Sequence, residues 1–318
     1  MTPKERVLKA IYHEEPDRVP LNVWFYYQAF NDQVVAKYGS LDAWYDEFGI
    51  DMFTVFPSAL TADRTDIPRT LDDMLAWKMP DPWDDSLYEG VRQAVEFYGG
   101  RKRRAVFCQT GAVFEGTNGF LGMAQQLVEM ALSPDKMRAW YAKLADWYAA
   151  QSLKAIECGV DVVHMSDDWG QNNKMIISPK MWWELIFPAD KVIVNAIKSK
   201  GVPASLHSCG YFMDVLDGCV EMGLDVLNPF QTSAGMDPWA AKERFGDRIT
   251  IYGGLDVRET LPRASLPELE AEVKRLMDGL KPGGGFILCT AHSVQDDISL
   301  EHLESAYRWA ADYGRYDA

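Results

Sequence analysis

Eight short runs rich in β-branched and aromatic residues punctuate the chain, at 21–25, 52–56, 104–108, 160–165, 203–207, 226–230, 249–252 and 286–289. Between nearly all of them lie stretches whose apolar residues recur at helical spacing, so strand and helix alternate. Alternation of this kind builds a parallel sheet, because each strand needs a crossover to bring the chain back to the same edge. An open, doubly wound sheet would carry a glycine-rich phosphate loop after its first strand, and the chain there reads Phe25-Tyr26-Tyr27-Gln28. The pattern therefore predicts an α/β chain, a (β/α)8 TIM barrel, with residues 1–318 as one domain.

The helical stretches carry their own punctuation. Thr2 as N-cap, Pro3 at the first helical position and Glu5 closing a capping box predict an N-terminal helix to about residue 13. Further helices are expected at 42–48, 87–97, on either side of Ser133-Pro134 between 120 and 158, at 213–222 and at 300–313, with a long one at 179–200 bent near Pro188. After Pro57 the periodicity loosens and Thr and Asp become frequent, which marks an excursion from the barrel at about 57–100.

Charge narrows the partners. The chain holds 32 Lys+Arg against 47 Asp+Glu, a net charge of -15. So negative a surface repels phosphate backbones and anionic lipid, which argues against nucleic acid and membrane. It also disfavours a substrate bearing many carboxylates unless the site is locally basic. No apolar run reaches 18 residues and the first residues lack the layout of a signal peptide, so a cytoplasmic protein is expected. The five cysteines are scattered and form no disulfide framework; Cys158 and Cys219 read as small buried hydrophobes. A small-molecule substrate is the expected partner, and a homodimer is compatible with the composition.

In a barrel, chemistry collects at the C-terminal strand ends. Those ends carry Tyr26, Gln109, Asp167, Asp168, His207, Cys209, Asn228, Gln231, Tyr252 and His292. On extended backbone His207 and Cys209, two apart, face one side and offer an imidazole and a thiolate, both zinc donors. The structural alternative is a buried thiol beside a hydrogen-bonded histidine. Two residues compete for a third ligand position, Cys289 and His292, and a one-residue shift of register exchanges them. Asp168 and His292 are the candidates for proton transfer; Asp167 and Asp168 are expected to line the site as a pair, although adjacent residues on a strand point opposite ways and only one would enter the pocket, and both could instead serve as a helix cap and a turn contact. Trp24, Phe25, Tyr26 and Tyr27 at the first strand end, with Trp169 at the fourth, could wall a pocket for a flat or apolar substrate, with Asn228, Gln231 and Tyr252 beside it. The expected set is thus metal at His207, Cys209 and Cys289, and substrate contacts at Tyr26, Asp167, Trp169, Asn228, Gln231 and Tyr252.

Several stretches resemble the uroporphyrinogen decarboxylase superfamily over essentially the whole length: Thr2-Pro3-Lys4-Glu5-Arg6-Val7-Leu8 with Glu15-Pro16-Asp17-Arg18-Val19-Pro20, Asp167-Asp168-Trp169-Gly170, Leu206-His207-Ser208-Cys209-Gly210, Asn228-Pro229-Phe230-Gln231, Gly253-Gly254-Leu255-Asp256 and Gly283-Gly284-Gly285-Phe286-Ile287-Leu288. The resemblance implies the same (β/α)8 barrel. The porphyrinogen decarboxylases carry an arginine-rich segment after the first strand, and residues 22–30 here contain no arginine. The cobalamin-dependent methyltransferase branch is similar instead, and it implies Zn2+ held by a His-x-Cys pair, His207 and Cys209, and a distant cysteine. A gap-free reading puts His292 at that cysteine's place and leaves Cys289 three residues early. The branch further implies cobalamin carried by a corrinoid partner protein and methyl transfer from a small substrate. The aromatic first strand end favours an aromatic methyl ether, as in an O-demethylase component. A thiol methyltransferase and a metal-free decarboxylase using His292 and Asp168 are the rival readings.

Overall fold

Strand β1 is Met52–Val55, β2 Ala105–Gly111, β3 Val162–Ser166, β6 Ala204–His207, β7 Val226–Asn228, β8 Thr250–Leu255 and β9 Phe286–Thr290, with a short antiparallel hairpin of β4 Gly170–Gln171 and β5 Lys174–Met175. In a computed structural model of the protein, which describes residues 1–61 and 65–316, the first seven form one parallel sheet in the order β1-β2-β3-β6-β7-β8-β9. Every residue of β3, β8 and β9 is buried. That follows from a sheet covered on both faces, which favours continuous apolar runs over alternation. Helices cover the outside, and the inward side chains Met52, Phe107, Val162, Val226, Tyr252 and Ile287 form a separate interior cluster with Val7, Ala10 and Ile11 of the N-terminal helix Pro3–Ile11. The fold is the barrel type that the alternation predicts.

The run expected as the first strand, 21–25, is not a regular strand. It makes a single parallel bridge, Leu21 to Leu288. Its place in the barrel is nevertheless that of the eighth stave, since the Asn22 N–H donates to the Leu288 carbonyl on one side and the Leu21 carbonyl accepts from Asp51 N on the other, each at 2.9 Å. A ladder does not develop because side chains and proline occupy its positions. Pro20 has no N–H, the Leu21 N–H donates to the Asp51 carboxylate, and the Trp24 N–H donates to Thr290 Oγ1.

Other departures have local causes. A helix at Gln28–Tyr38 follows the aromatic segment, without a side-chain cap to announce it. The helix expected at 87–97 is split into a 3-10 turn Asp85–Tyr88, a helix Glu89–Ala94 and a π turn Val95–Arg101, all inside the excursion, whose residues 62–64 lie outside the described residues. The helix expected at 179–200 is interrupted by a π turn Trp182–Ile186, which accommodates the missing N–H of Pro188 before Phe187–Lys198 resumes. Leu266–Leu280 opens with a capping box at Ser265 and Glu268. No helix among the described residues is long and apolar enough to cross a membrane.

One buried carboxylate ties the barrel shut. Asp51, fully buried, accepts from Arg6 Nη1 at 2.5 Å, from Arg18 Nη1 at 2.7 Å and from the Leu21 N–H at 2.8 Å. Arg6 in turn forks onto Asp17. The Asp17-Arg18 motif is therefore a structural clasp between the N-terminal helix, the eighth stave and β1. Removing the carboxylate leaves two guanidinium groups facing a low-dielectric site, so Asp51→Ala is expected to cost about 3–5 kcal/mol. Urea unfolding of the purified variant measures this, and a loss below about 1 kcal/mol would show that the clasp does not hold the closure.

Candidate metal centre

Three donors meet where β3 and β6 end. His207 is the last residue of β6 and lies opposite Ser166 of β3 in the sheet register. Its Nε2 is 3.3 Å from Cys209 Sγ and 3.8 Å from Asp168 Oδ1. The donor atoms of Asp168, His207 and Cys209 all lie within 4.8 Å of one another. Zinc bonds of about 2.0–2.1 Å to nitrogen and 2.3 Å to sulfur separate tetrahedral donors by about 3.4–3.6 Å, so the spacing suits a small divalent cation.

The backbone is shaped to produce that spacing. Asp168 Oδ1 accepts from the Cys209 N–H at 2.7 Å, tying the loop after β3 to the loop after β6. The two loops touch at Gly170 and Gly210: a Cβ on Gly210 would stand 2.4 Å from the Gly170 carbonyl carbon, and one on Gly170 would stand 2.4 Å from Tyr211 N. Gly210 also has φ +77°, in the left-handed region that favours glycine. Gln231 completes the turn, its Oε1 accepting from Gly210 N at 3.3 Å.

The imidazole is held in one tautomer. Asn228 is buried, and its Nδ2 donates to the Tyr252 carbonyl at 2.9 Å, which turns its Oδ1 towards His207 Nδ1 at 2.6 Å. A carbonyl oxygen only accepts, so Nδ1 carries the proton and Nε2 presents its lone pair to Cys209 and Asp168. Burial pushes the Cys209 thiol up, and the Asp168 and Glu115 carboxylates push it further. A cation among these groups would reverse that balance, since it stabilises the thiolate.

The other expected residues fall into two groups. Tyr26 is half exposed, stacks edge-on against Trp24, and shares a small recess of about 90 Å3 with His207, Asn228 and His292. His292 is exposed on the loop after β9; partial enclosure of its ring and the neighbouring His207 lower its pKa, against the pull of Asp168. It lines, with Asp168, Cys209 and Gln231, an open cleft of about 550 Å3. Cys289, by contrast, is fully buried in the barrel interior with Trp24 and Ile287, and Asp168 stands where the sequence reading expected that cysteine. Tyr252 is buried in the same layer, its hydroxyl accepting from Asn22 and from Trp24 Nε1. It acts on the site through its carbonyl alone.

Asp167 and Trp169 also face away from the cleft. Trp169 is buried against Trp182 and Phe212, and its Nε1 donates to Asp167 Oδ2 at 2.6 Å. The other Asp167 oxygen accepts from the Glu115 N–H at 2.6 Å, while Asp190 Oδ1 accepts from Val113 N at 3.3 Å. The helix Val113–Leu121 has no side-chain cap of its own, and these two carboxyls from distant elements cap it. Burial raises both, Asp190 to about 7, and the neighbouring Asp190 charge pushes Asp167 further up.

Sequence reasoning missed three groups here. Glu115, whose Oε2 accepts from Ser166 Oγ at 2.6 Å, adds a second carboxyl beside the centre; burial, then Asp168, raises its pKa. Asp190 was legible as an acid on the apolar stripe of Ile186, Ile193, Val194 and Ile197. His164 lies fully buried below His207, with ring centroids 6.0 Å apart and Nδ1 2.7 Å from Ser205 Oγ, and burial depresses its pKa.

Comparison with known proteins adds a family. Residues 55–313 match the model of the family described as uroporphyrinogen decarboxylase (URO-D). Uroporphyrinogen decarboxylase of Colwellia psychrerythraea is 26% identical over 197 residues, covering 58% of this chain and 52% of that protein. The enzyme of Pelodictyon phaeoclathratiforme is 27% identical over 184 residues, covering 55% and 48%. The chain spans about half the length of the curated relatives it matches. Among solved structures, a methyltransferase from Methanosarcina mazei superposes with a TM-score of 0.77 at 16% identity, covering 98% of this chain and 99% of the other. A B12-independent methionine synthase from Shewanella sp. W3-18-1 gives 0.54 at 10% identity, covering 94% and 93%. Both likenesses are likenesses of fold.

Two outcomes follow from this geometry. Asn228→Ala frees the imidazole to rotate and exchange tautomers, and is expected to weaken divalent-metal binding about 10–100-fold, measured by competition with a chromophoric chelator. Asp190 has its folded pKa raised from 3.8 to about 7. The stability it contributes is therefore full below about 3.8 and lost as pH rises through about 7. Asp190→Asn keeps the acceptor for Val113 N without the charge, so its urea midpoint should gain on the parent between pH 5 and pH 8. An unchanged difference between the two pH values contradicts the raised Asp190 pKa.

Proposed function

The chain belongs to the uroporphyrinogen decarboxylase family, and from that premise we propose that it is a zinc-dependent methyltransferase of a corrinoid system. The observation that carries this reading is the convergence of Asp168, His207 and Cys209, with Asn228 presenting His207 Nε2 as a ligand. Asp168, His207 and Cys209 would hold the zinc, and a catalytic site of this kind keeps a fourth position open. Bound there, zinc supplies a Lewis acid that polarises the oxygen or sulfur of a methyl donor or acceptor.

The chain's own groups supply the rest. Asn228 orients the imidazole and Gln231 holds the turn that bears Cys209. Trp24 and Tyr26 give an aromatic edge beside His207, which suits an aromatic methyl ether as donor, the role of an O-demethylase component. His292, next to His207 and Asp168 and of lowered pKa, is placed to take up or return a proton at its ring nitrogen. The open cleft over Asp168 and Cys209 leaves room for the cobalamin of a corrinoid protein to approach. The absence of arginine from residues 22–30 weighs against the porphyrinogen itself as substrate.

Metal analysis of the purified protein tests the reading, alongside methyl transfer to cob(I)alamin from methoxylated aromatics. About one zinc per chain is expected. Cys209→Ser should lose it, whereas Cys289→Ser should keep it. Full activity in a zinc-free preparation rejects the proposal, and transfer to a thiol with none from any ether replaces the methyl-ether donor by a thiol acceptor.

A further inference from the structure

A cavity of about 370 Å3 lies between the segment 56–61, the end of β2 and the helix Pro134–Glu157. Its floor borders the metal centre without including its donors: Ser166 and Glu115 line it, Ser166 pairs with His207 across the β3–β6 ladder, and the Glu115 charge is felt at Cys209.

Its walls combine apolar and uncharged polar surface. Phe56, Pro57 and Leu60 supply the apolar side. Ser58, Gln109, Gln151 and Ser166 supply the uncharged polar side. Two glycines admit a further polar group: a Cβ on Gly111 or Gly116 would stand 2.5 or 2.6 Å from the Tyr148 hydroxyl.

The charge of the lining is one-sided. Among the described residues no Lys, Arg or His lines the cavity, and Glu115 is its one carboxyl. Arg69, near Gly119, donates Nη1 to the carbonyls of Gly119 and Phe120. The basic side chains by the metal centre, Arg258 and Arg263, line the open cleft instead. A carboxylate entering this cavity would shed its water and face Glu115, with no cation among the described lining residues.

We propose that this cavity binds the methyl donor and selects an uncharged, hydroxyl-bearing molecule over a carboxylate-bearing one. The donor role rests on the methyl-transfer reading; the charge preference does not. Titration calorimetry compares 2-methoxyphenol with 4-hydroxy-3-methoxybenzoate. The neutral compound is expected to bind about tenfold more tightly or better, and Glu115→Gln should narrow that ratio to about threefold. Leu60→Trp, which fills the cavity, should abolish binding of both while circular dichroism shows the parent fold. Equal or tighter binding of the benzoate, no binding of either at millimolar concentration, or a ratio unmoved by Glu115→Gln overturns the assignment. Catechol, which has no methyl group to give, should show the same preference for the neutral class. Preference without any methyl transfer to cob(I)alamin removes the methyl-transfer reading and keeps the cavity's selectivity. Transfer from both compounds with equal KM does the reverse.

Discussion

The barrel depends on a carboxylate that no solvent reaches. Asp51 sits at the entry to β1 and gathers Arg6, Arg18 and the Leu21 amide, so helix, connecting turn and eighth stave are fixed by one side chain. This matters because the eighth stave has little ladder of its own. Pro20 and the side-chain bonds to Leu21 and Trp24 replace regular pairing, and the sheet would otherwise stop at β1 and β9. A barrel that did not close would leave Trp24 unplaced, and Trp24 packs against His207 with ring centroids 5.2 Å apart. The clasp at one end of the strands therefore supports the site at the other.

The site shows the same division between a group that holds and a group that acts. His207 is oriented by Asn228, Asn228 by the Tyr252 carbonyl, Cys209 by Asp168, and Gly210 after it by Gln231. Each link is a single hydrogen bond with an unambiguous donor. Ordering of this kind limits the rearrangement that a ligand would require on binding.

Much of this was legible in the sequence. The alternation of runs gave the barrel, and the i, i+2 spacing put His207 and Cys209 on one side of a strand. Their meeting with Asp168 was beyond it, because it depends on two loops touching. Cys289 illustrates the limit well: at a strand end, one residue of register separates the mouth from the interior, and the interior prevailed. Asp167 and Trp169 read as pocket residues by position, yet a hydrogen bond joins them in the interior, where Asp167 caps a helix at Glu115, 52 residues earlier. Glu115 and Asp190 escaped because they belong to helices, and strand ends were where polar chemistry was sought. The clasp motif was visible as a resemblance, but its structural role needed the position of Asp51.

The contact of Gly170 with Gly210 has a consequence for how such a centre could change over time. Two absent methyl groups, on loops 40 positions apart in the chain, set how near an aspartate can come to a cysteine. An alanine at either place would wedge the loops open and pull oxygen from sulfur without touching a single donor atom. The ion-binding character of this barrel is thus written partly in residues that have no side chain at all, and a lineage could lose it there while every ligand stayed in place.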